Sequence, residues 1–272
     1  MDFETKEKYN IDDLVEIVKI LRSPDGCPWD KVQTHESVRQ DFIEEVYEAA
    51  EAIDTKDTEH LKEELGDVLF QVVFHCELES EKNSFNLDDV ADGICKKMIL
   101  RHPHVFSSVT ADTTDEVLKN WDAIKMNSKS QKMPSEAMDS VSKTLPSLMR
   151  AEKLQSKAKR AGVDLENTDC AFQSVSESLE ELKAAIDSND TDAYQKKIGE
   201  LLFSTVRLSR FMGVDCEKSL YNVCDEFTDD FKSYEKFVAQ KGIDIQNSDV
   251  NTLNELWNEF AKKRKNLEEN LR

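Results

Sequence analysis

Two long segments of helical periodicity lie three residues apart in this chain. From about 36 to 54 and from about 58 to 81, apolar residues recur every three or four positions, and only Thr55-Lys56-Asp57 separates them. So short a link leaves two helices little choice but to pack as antiparallel neighbours. Each segment carries an acidic motif at helical spacing. The first is Glu44-Glu45-Val46-Tyr47-Glu48 and the second is Glu63-Glu64-Leu65-Gly66-Asp67. Residues three apart share a helix face, so the hairpin is expected to bring Glu45, Glu48, Glu64 and Asp67 together. Four oxygen donors without His or Cys suit Mg²⁺ or Mn²⁺ and not zinc.

Acidic pairs alone are weak signals in a chain with 56 Asp and Glu among 272 residues, and Glu180-Glu181 and Glu268-Glu269 illustrate how easily they arise. Placement gives these two more weight. At about 100° per residue, Phe42, Val46, Ala49, Ala50 and Ile53 form an apolar arc that contains Glu45 and has Glu48 at its margin. Glu44 points away. In the second segment the carboxylates precede Val68–Cys76, which reads VLFQVVFHC and is apolar nearly all round, as in a buried helix. Burying an unpaired charge is expensive, and a bound cation would offset that expense.

Gly (7) and Pro (5) are scarce and β-type alternation is almost absent, so the expected class is all-α. A net charge of −20 disfavours duplex nucleic acid as a partner. An anionic substrate is compatible with it if a metal and local cations neutralise the substrate's charge. No apolar run approaches the ~18 residues of a membrane span, and Met1-Asp2-Phe3-Glu4 lacks the pattern of a signal peptide. The six cysteines form no C-x-x-C pair and are expected to be free thiols in a reducing, cytoplasmic setting.

Further helices are expected over 11–21, with Asn10 as cap, over 87–100 and over 114–127. The loop Ser23-Pro24-Asp25-Gly26-Cys27-Pro28-Trp29-Asp30 ends the first helix, with Trp29 expected to be a packing anchor, the commoner case, or part of a pocket wall. Gly66 is expected to let a neighbouring helix or a ligand come close. Lys96, Lys97 and Arg101 near the end of the 87–100 helix are either a favourable C-terminal charge or a phosphate clamp. His102 and His104 flank a proline and suit a structural or substrate-side role. The polar stretch 127–135 is the expected boundary between domains 1–130 and 131–272. Beyond it, helices are expected over 145–161, 169–187, 192–212, 217–240 and 250–266.

The halves are related by a constant shift of 133 residues. It carries Glu44 onto Glu177, Glu48 onto Glu181, Gly66 onto Gly199, Leu69 onto Leu202, Phe70 onto Phe203 and Val73 onto Val206. The carboxylates survive only in part: Glu45 falls on Ser178, Glu64 on Lys197 and Asp67 on Glu200. With a slightly smaller shift, Lys97 and Arg101 fall on Glu226 and Asp230, which inverts their charge. Lys197 can neutralise Glu181 and Glu200 without a metal, so the second copy is expected to be a packing partner.

GCPWD (26–30), QTHES (33–37), EEVYEAAEAID (44–54), EELGDVLFQVVFH (63–75) and RHPHVF (101–106) together make the chain resemble the MazG family of nucleoside triphosphate pyrophosphohydrolases, over nearly its full length. The resemblance implies two tandem all-α, helical-bundle repeats, of which 1–130 is catalytic and 131–272 degenerate and structural. It also implies a homodimer and Mg²⁺-dependent hydrolysis of a nucleoside triphosphate to the monophosphate and pyrophosphate, in keeping with nucleotide-pool house-cleaning. By resemblance, Glu45, Glu48, Glu64 and Asp67 hold the metal, Lys97 and Arg101 contact phosphates, and Trp121 lies near the nucleotide. Glu44, Glu45 and Glu48 are candidates to orient the attacking water or take its proton. No P-loop is present. A narrower dUTP- or dCTP-type pyrophosphatase and a non-catalytic nucleotide-binding regulator are the alternatives. A di-iron bundle would need Glu-x-x-His on its helices, and neither acidic motif has the histidine.

Overall fold

The computed structural model describes residues 3–107, 113 and 133–270. Every regular element among them is helical: α1 (Ile11–Arg22), α2 (Arg39–Thr55), α3 (Thr58–Ser80), α4 (Leu87–Arg101), α5 (Pro103–Phe106), α6 (Pro134–Asp139), α7 (Ser147–Arg160), α8 (Thr168–Asp187), α9 (Thr191–Phe211), α10 (Cys216–Gln240) and α11 (Val250–Asn270), with short 3₁₀ turns at Asp30–Val32 and Ile245–Asn247. The chain divides into two compact units, residues 1–129 and 130–272. The expected helix over 114–127 and Trp121 lie outside the described residues.

In the first unit α2 and α3 form the expected hairpin, and α1 packs on α3. Lys56 adopts a left-handed conformation (φ 58°) at the turn, and Asp57 caps α3 by accepting the His60 backbone N–H at 3.1 Å. Asn10 and Asn86 each close a capping box at the start of α1 and α4. The core joins Val18 of α1 and Val38 to Val73, Phe74 and Leu78 of α3.

Two polar ties bind the loop between α1 and α2 to the far end of α3. Arg22 lies over the Phe74 ring at 5.0 Å, donates to both Glu81 carboxylate oxygens at 2.6 and 2.9 Å, and donates to the Asp30 carbonyl at 2.6 Å. His35 meets His75 (Nδ1 to Nδ1, 2.8 Å) and Glu79 (2.7 Å). Lys82, then His35, holds the Glu79 carboxyl down to about 2. The close Nδ1 pair requires one donor and one acceptor. Burial, and then His35, lowers the His75 pKa.

The second unit repeats the hairpin in α8 and α9. Asn189 takes the left-handed place of Lys56, and Asp190 caps Ala193 at 3.0 Å as Asp57 caps His60. Gln173 donates to Glu177 at 3.1 Å, as Gln40 does to Glu44 at 3.1 Å. Val206 is buried as Val73 is, and Ser204 as Gln71 is. Buried Gln155 of α7 donates to the Phe203 carbonyl at 2.8 Å. A separate cluster joins Tyr234 and Val238 of α10 to Leu256 of α11, and the Tyr234 hydroxyl donates to the Leu253 carbonyl at 2.7 Å.

Several expectations are corrected. The second helix begins at Arg39 and not near 36, because Ser37 and Thr34 spend their polar groups on a turn: Thr34 N–H donates to Ser37 Oγ at 2.9 Å, and Ser37 Oγ donates to Gln33 at 2.6 Å. Trp29 is 57% exposed, which does not fit a packing anchor. Val46, Ile53, Leu65 and Leu69, expected to face a core, are also exposed. No neighbouring helix among the described residues comes close to Gly66, since a Cβ there would meet nothing within 4 Å.

Gly26 is the glycine with a steric reason. Its Cβ would run into the carbonyl oxygens of Ile20 and Leu21 where the chain folds back over the end of α1. Gly26→Ala should therefore destabilise the protein by roughly 2 kcal/mol or more. Gly66→Ala, in an open helix interior, should stabilise it by about 1 kcal/mol. Denaturant unfolding of the two variants checks the opposite signs.

Candidate functional site

The α2–α3 hairpin places Glu45, Glu48 and Glu64 so that one carboxylate oxygen from each lies within 4.8 Å of the others. The spacing follows from the turn: with Asp57 capping α3, Glu64 comes about two turns inside that helix and opposite Glu48 of the descending α2. Glu64 is only 7% exposed, Glu45 is half-buried and Glu48 is exposed. Asp67 lies outside the three-residue cluster and is exposed, but its charge acts on two of the three.

Burial raises the Glu45 carboxyl pKa, and the negative charges of Asp67, Glu48 and Glu64 raise it further. Burial also raises that of Glu64, as do Glu48 and Asp67, while His60 opposes them. One Glu64 oxygen, Oε2, is buried with no hydrogen-bond partner among the described residues. An orphaned buried acceptor among crowded carboxylates is the environment a cation would complete. Because the donors are all oxygen, the set fits a hard divalent ion.

Glu44 is exposed and accepts from Gln40 at 3.1 Å, away from the cluster. Lys97 and Arg101 occupy the last turns of α4, a helix that packs on α3 and buries no residue of its own. Lys96 is taken by Asp92 at 2.5 Å. His102 Nδ1 meets the Met98 carbonyl oxygen at 2.7 Å, a structural use, and the buried Nδ1 of His104 has no hydrogen-bond partner among the described residues. His60 is the residue that the sequence reading passed over: its Nε2 lies 3.0 Å from Glu64 Oε1. The available signal was the four-residue spacing of His60 and Glu64, which puts both on one face.

The equivalent corner of the second unit is built differently. Lys197 Nζ donates to Glu181 at 2.6 Å and to Glu200 at 2.8 Å. The ammonium lies where a carboxylate stands in the first unit. Those two hydrogen bonds, Glu181's foremost, raise the lysine's pKa, and Lys197 lowers that of Glu200. The trio is partly solvated, with Glu181 more than half exposed.

Residues 33–106 match the model of the MazG nucleotide pyrophosphohydrolase domain. The chain is 39% identical over 246 residues to a Thermotoga maritima protein named nucleoside triphosphate pyrophosphohydrolase/pyrophosphatase MazG, covering 90% of this chain and 93% of the relative. It is 35% identical over 257 residues to the nucleoside triphosphate pyrophosphohydrolase of Escherichia coli K12, covering 93% and 97%. It is 41% identical over 247 residues to an uncharacterised Bacillus subtilis protein, YabN, covering 89% of this chain and 50% of the relative. With the acidic hairpin inside the matched segment and similarity running through nearly the whole of two named relatives, the chain belongs to the MazG nucleotide pyrophosphohydrolase family.

Proposed function

We propose that this protein hydrolyses a nucleoside triphosphate, ribo or deoxy, to the nucleoside monophosphate and pyrophosphate, using Mg²⁺ held by the first unit. The observation that carries the reading is the cluster of Glu45, Glu48 and Glu64, three carboxylates within 4.8 Å and one buried oxygen unpartnered. Asp67, the nearby fourth carboxylate, completes the proposed ligand set. When bound, the cation supplies charge neutralisation and Lewis acidity to the phosphate chain.

The remaining work falls to side chains. Hydrolysis of a phosphoanhydride depends on positioning and charge stabilisation more than on a covalent nucleophile. Glu45, whose carboxyl pKa is raised by burial and neighbouring charge, and Glu48 beside it are the groups proposed to orient a water and accept its proton. Glu44, on the solvent face with one oxygen accepting from Gln40, is the third candidate for that role. Arg101 and Lys97 are assigned to the triphosphate, with the planar guanidinium gripping two oxygens at once. Trp121 is assigned to the nucleoside. The second unit, with Lys197 in place of a carboxylate, is assigned a structural role.

A homodimer is part of the proposal. Val46, Ile53, Leu65 and Leu69 leave an exposed apolar stripe on α2 and α3, and exposed Leu179, Ile186, Ile198 and Leu202 repeat it at the equivalent positions of α8 and α9. Contiguous apolar surface of this kind marks association sites. Nucleotide-pool house-cleaning in the cytoplasm is the proposed setting.

The test is a panel of common and modified NTPs and dNTPs, assayed for pyrophosphate and monophosphate with and without Mg²⁺. Release of pyrophosphate only with the metal supports the reading. Turnover restricted to dUTP or dCTP identifies the narrower enzyme, and nucleotide binding without turnover identifies a regulator. Millimolar Mg²⁺ or Mn²⁺ should also raise the melting temperature, since a ligand at a hundred times its Kd stabilises the native state by ~2.7 kcal/mol. Glu64→Gln should abolish that rise.

The two units should respond unequally to matched substitutions. Glu48→Gln keeps the volume and removes a proposed ligand, so turnover should fall by orders of magnitude with little change in melting temperature. Glu181→Gln should leave both nearly as they were, because its ion pair with Lys197 is largely solvated. Steady-state kinetics on both variants check this, and turnover lost on Glu181→Gln but kept on Glu48→Gln would refute the assignment.

A further inference from the structure

We infer that His60 is a positioning residue for Glu64: its imidazole holds one oxygen of the carboxylate and so leaves the other directed to the divalent cation. The inference rests on the metal-site reading above and extends it to a residue outside the acidic motifs.

The geometry supplies the first argument. His60 and Glu64 are four residues apart on α3, and Nε2 lies 3.0 Å from Oε1. The second oxygen of the same carboxylate, Oε2, is buried and has no partner. A glutamate side chain has several rotatable bonds, and immobilising it costs conformational entropy on ligand binding. A neighbour that fixes one oxygen lowers that cost in advance. Groups that hold ligating carboxylates in this way tune metal affinity.

The start of α3 supplies the second. The backbone N–H of His60 donates to the Asp57 cap at 3.1 Å, so the histidine is anchored one turn before Glu64.

The second unit is an internal control. Asp190 caps Ala193 at 3.0 Å, reproducing the turn and the cap, yet the imidazole is gone. At the position of Glu64 stands Lys197, bonded to Glu181 and Glu200. Where the carboxylate is absent the histidine is absent too, and the helix starts in the same way without it.

The test is Mn²⁺ binding to the metal-free, full-length protein by isothermal titration calorimetry, with the melting temperature of each metal-free variant recorded alongside. His60→Ala should weaken Mn²⁺ binding by about 10-fold while leaving the metal-free melting temperature close to that of the wild type. His60→Gln, whose amide nitrogen reaches the place of Nε2, should restore most of the affinity. If Glu64→Gln loses Mn²⁺ while His60→Ala binds it as the wild type does, the role given to His60 is overturned and the metal site stands. Loss on His60→Ala without recovery in His60→Gln also overturns it. If Glu64→Gln binds as tightly as the wild type, the metal-site reading itself fails.

Discussion

Crowded negative charge at one corner of the α2–α3 hairpin sets the terms for the rest of the first unit. Glu45, Glu48 and Glu64 approach within 4.8 Å, and Glu64 is buried. Repulsion and desolvation both oppose that arrangement. It persists because the hairpin is constrained at both ends. The left-handed Lys56 and the Asp57 cap fix the turn. Arg22 and His35 tie the opposite end of α3 to the preceding loop. On the proposed reading, a carboxylate corner held in this way needs little further ordering to bind a cation.

The second unit keeps the scaffold of the first and differs at this corner. The turn, the aspartate cap, the Gln–Glu contact on the outer face and the buried valine are all retained. One lysine at the position of Glu64 supplies internally the positive charge that the first corner lacks. The turn, the cap and the buried valine are thus shared by the copies while the charge at the position of Glu64 is reversed.

Much of this was legible because the controlling signals are local. Asn10, Asp57 and Asn86 announce helix starts by chemistry that acts within three residues. The three-residue link between α2 and α3 dictates an antiparallel pair, and from that pairing the meeting of Glu45, Glu48 and Glu64 follows. What was not legible depends on tertiary surroundings. Periodicity places Val46, Ile53, Leu65 and Leu69 on apolar faces but cannot say whether the cover comes from the same unit, and here they are exposed. Trp29 was misjudged for the same reason. The start of α2 moved because Thr34 and Ser37 form a turn of their own. His60 was missed because an imidazole one turn before a glutamate draws notice only once that glutamate is known to be buried with an oxygen unpartnered.

The claim on which the account turns is that the first unit's carboxylates bind a divalent cation and the second unit's lysine-filled corner does not. The most direct measurement is a crystal structure of the protein grown with Mn²⁺, with anomalous diffraction recorded to locate the metal. The account predicts anomalous density bounded by Glu45, Glu48, Glu64 and Asp67, with Lys197 still bridging Glu181 and Glu200 and no density between them. Density at Glu181 and Glu200, or an empty corner at Glu64 in crystals saturated with Mn²⁺, would contradict it.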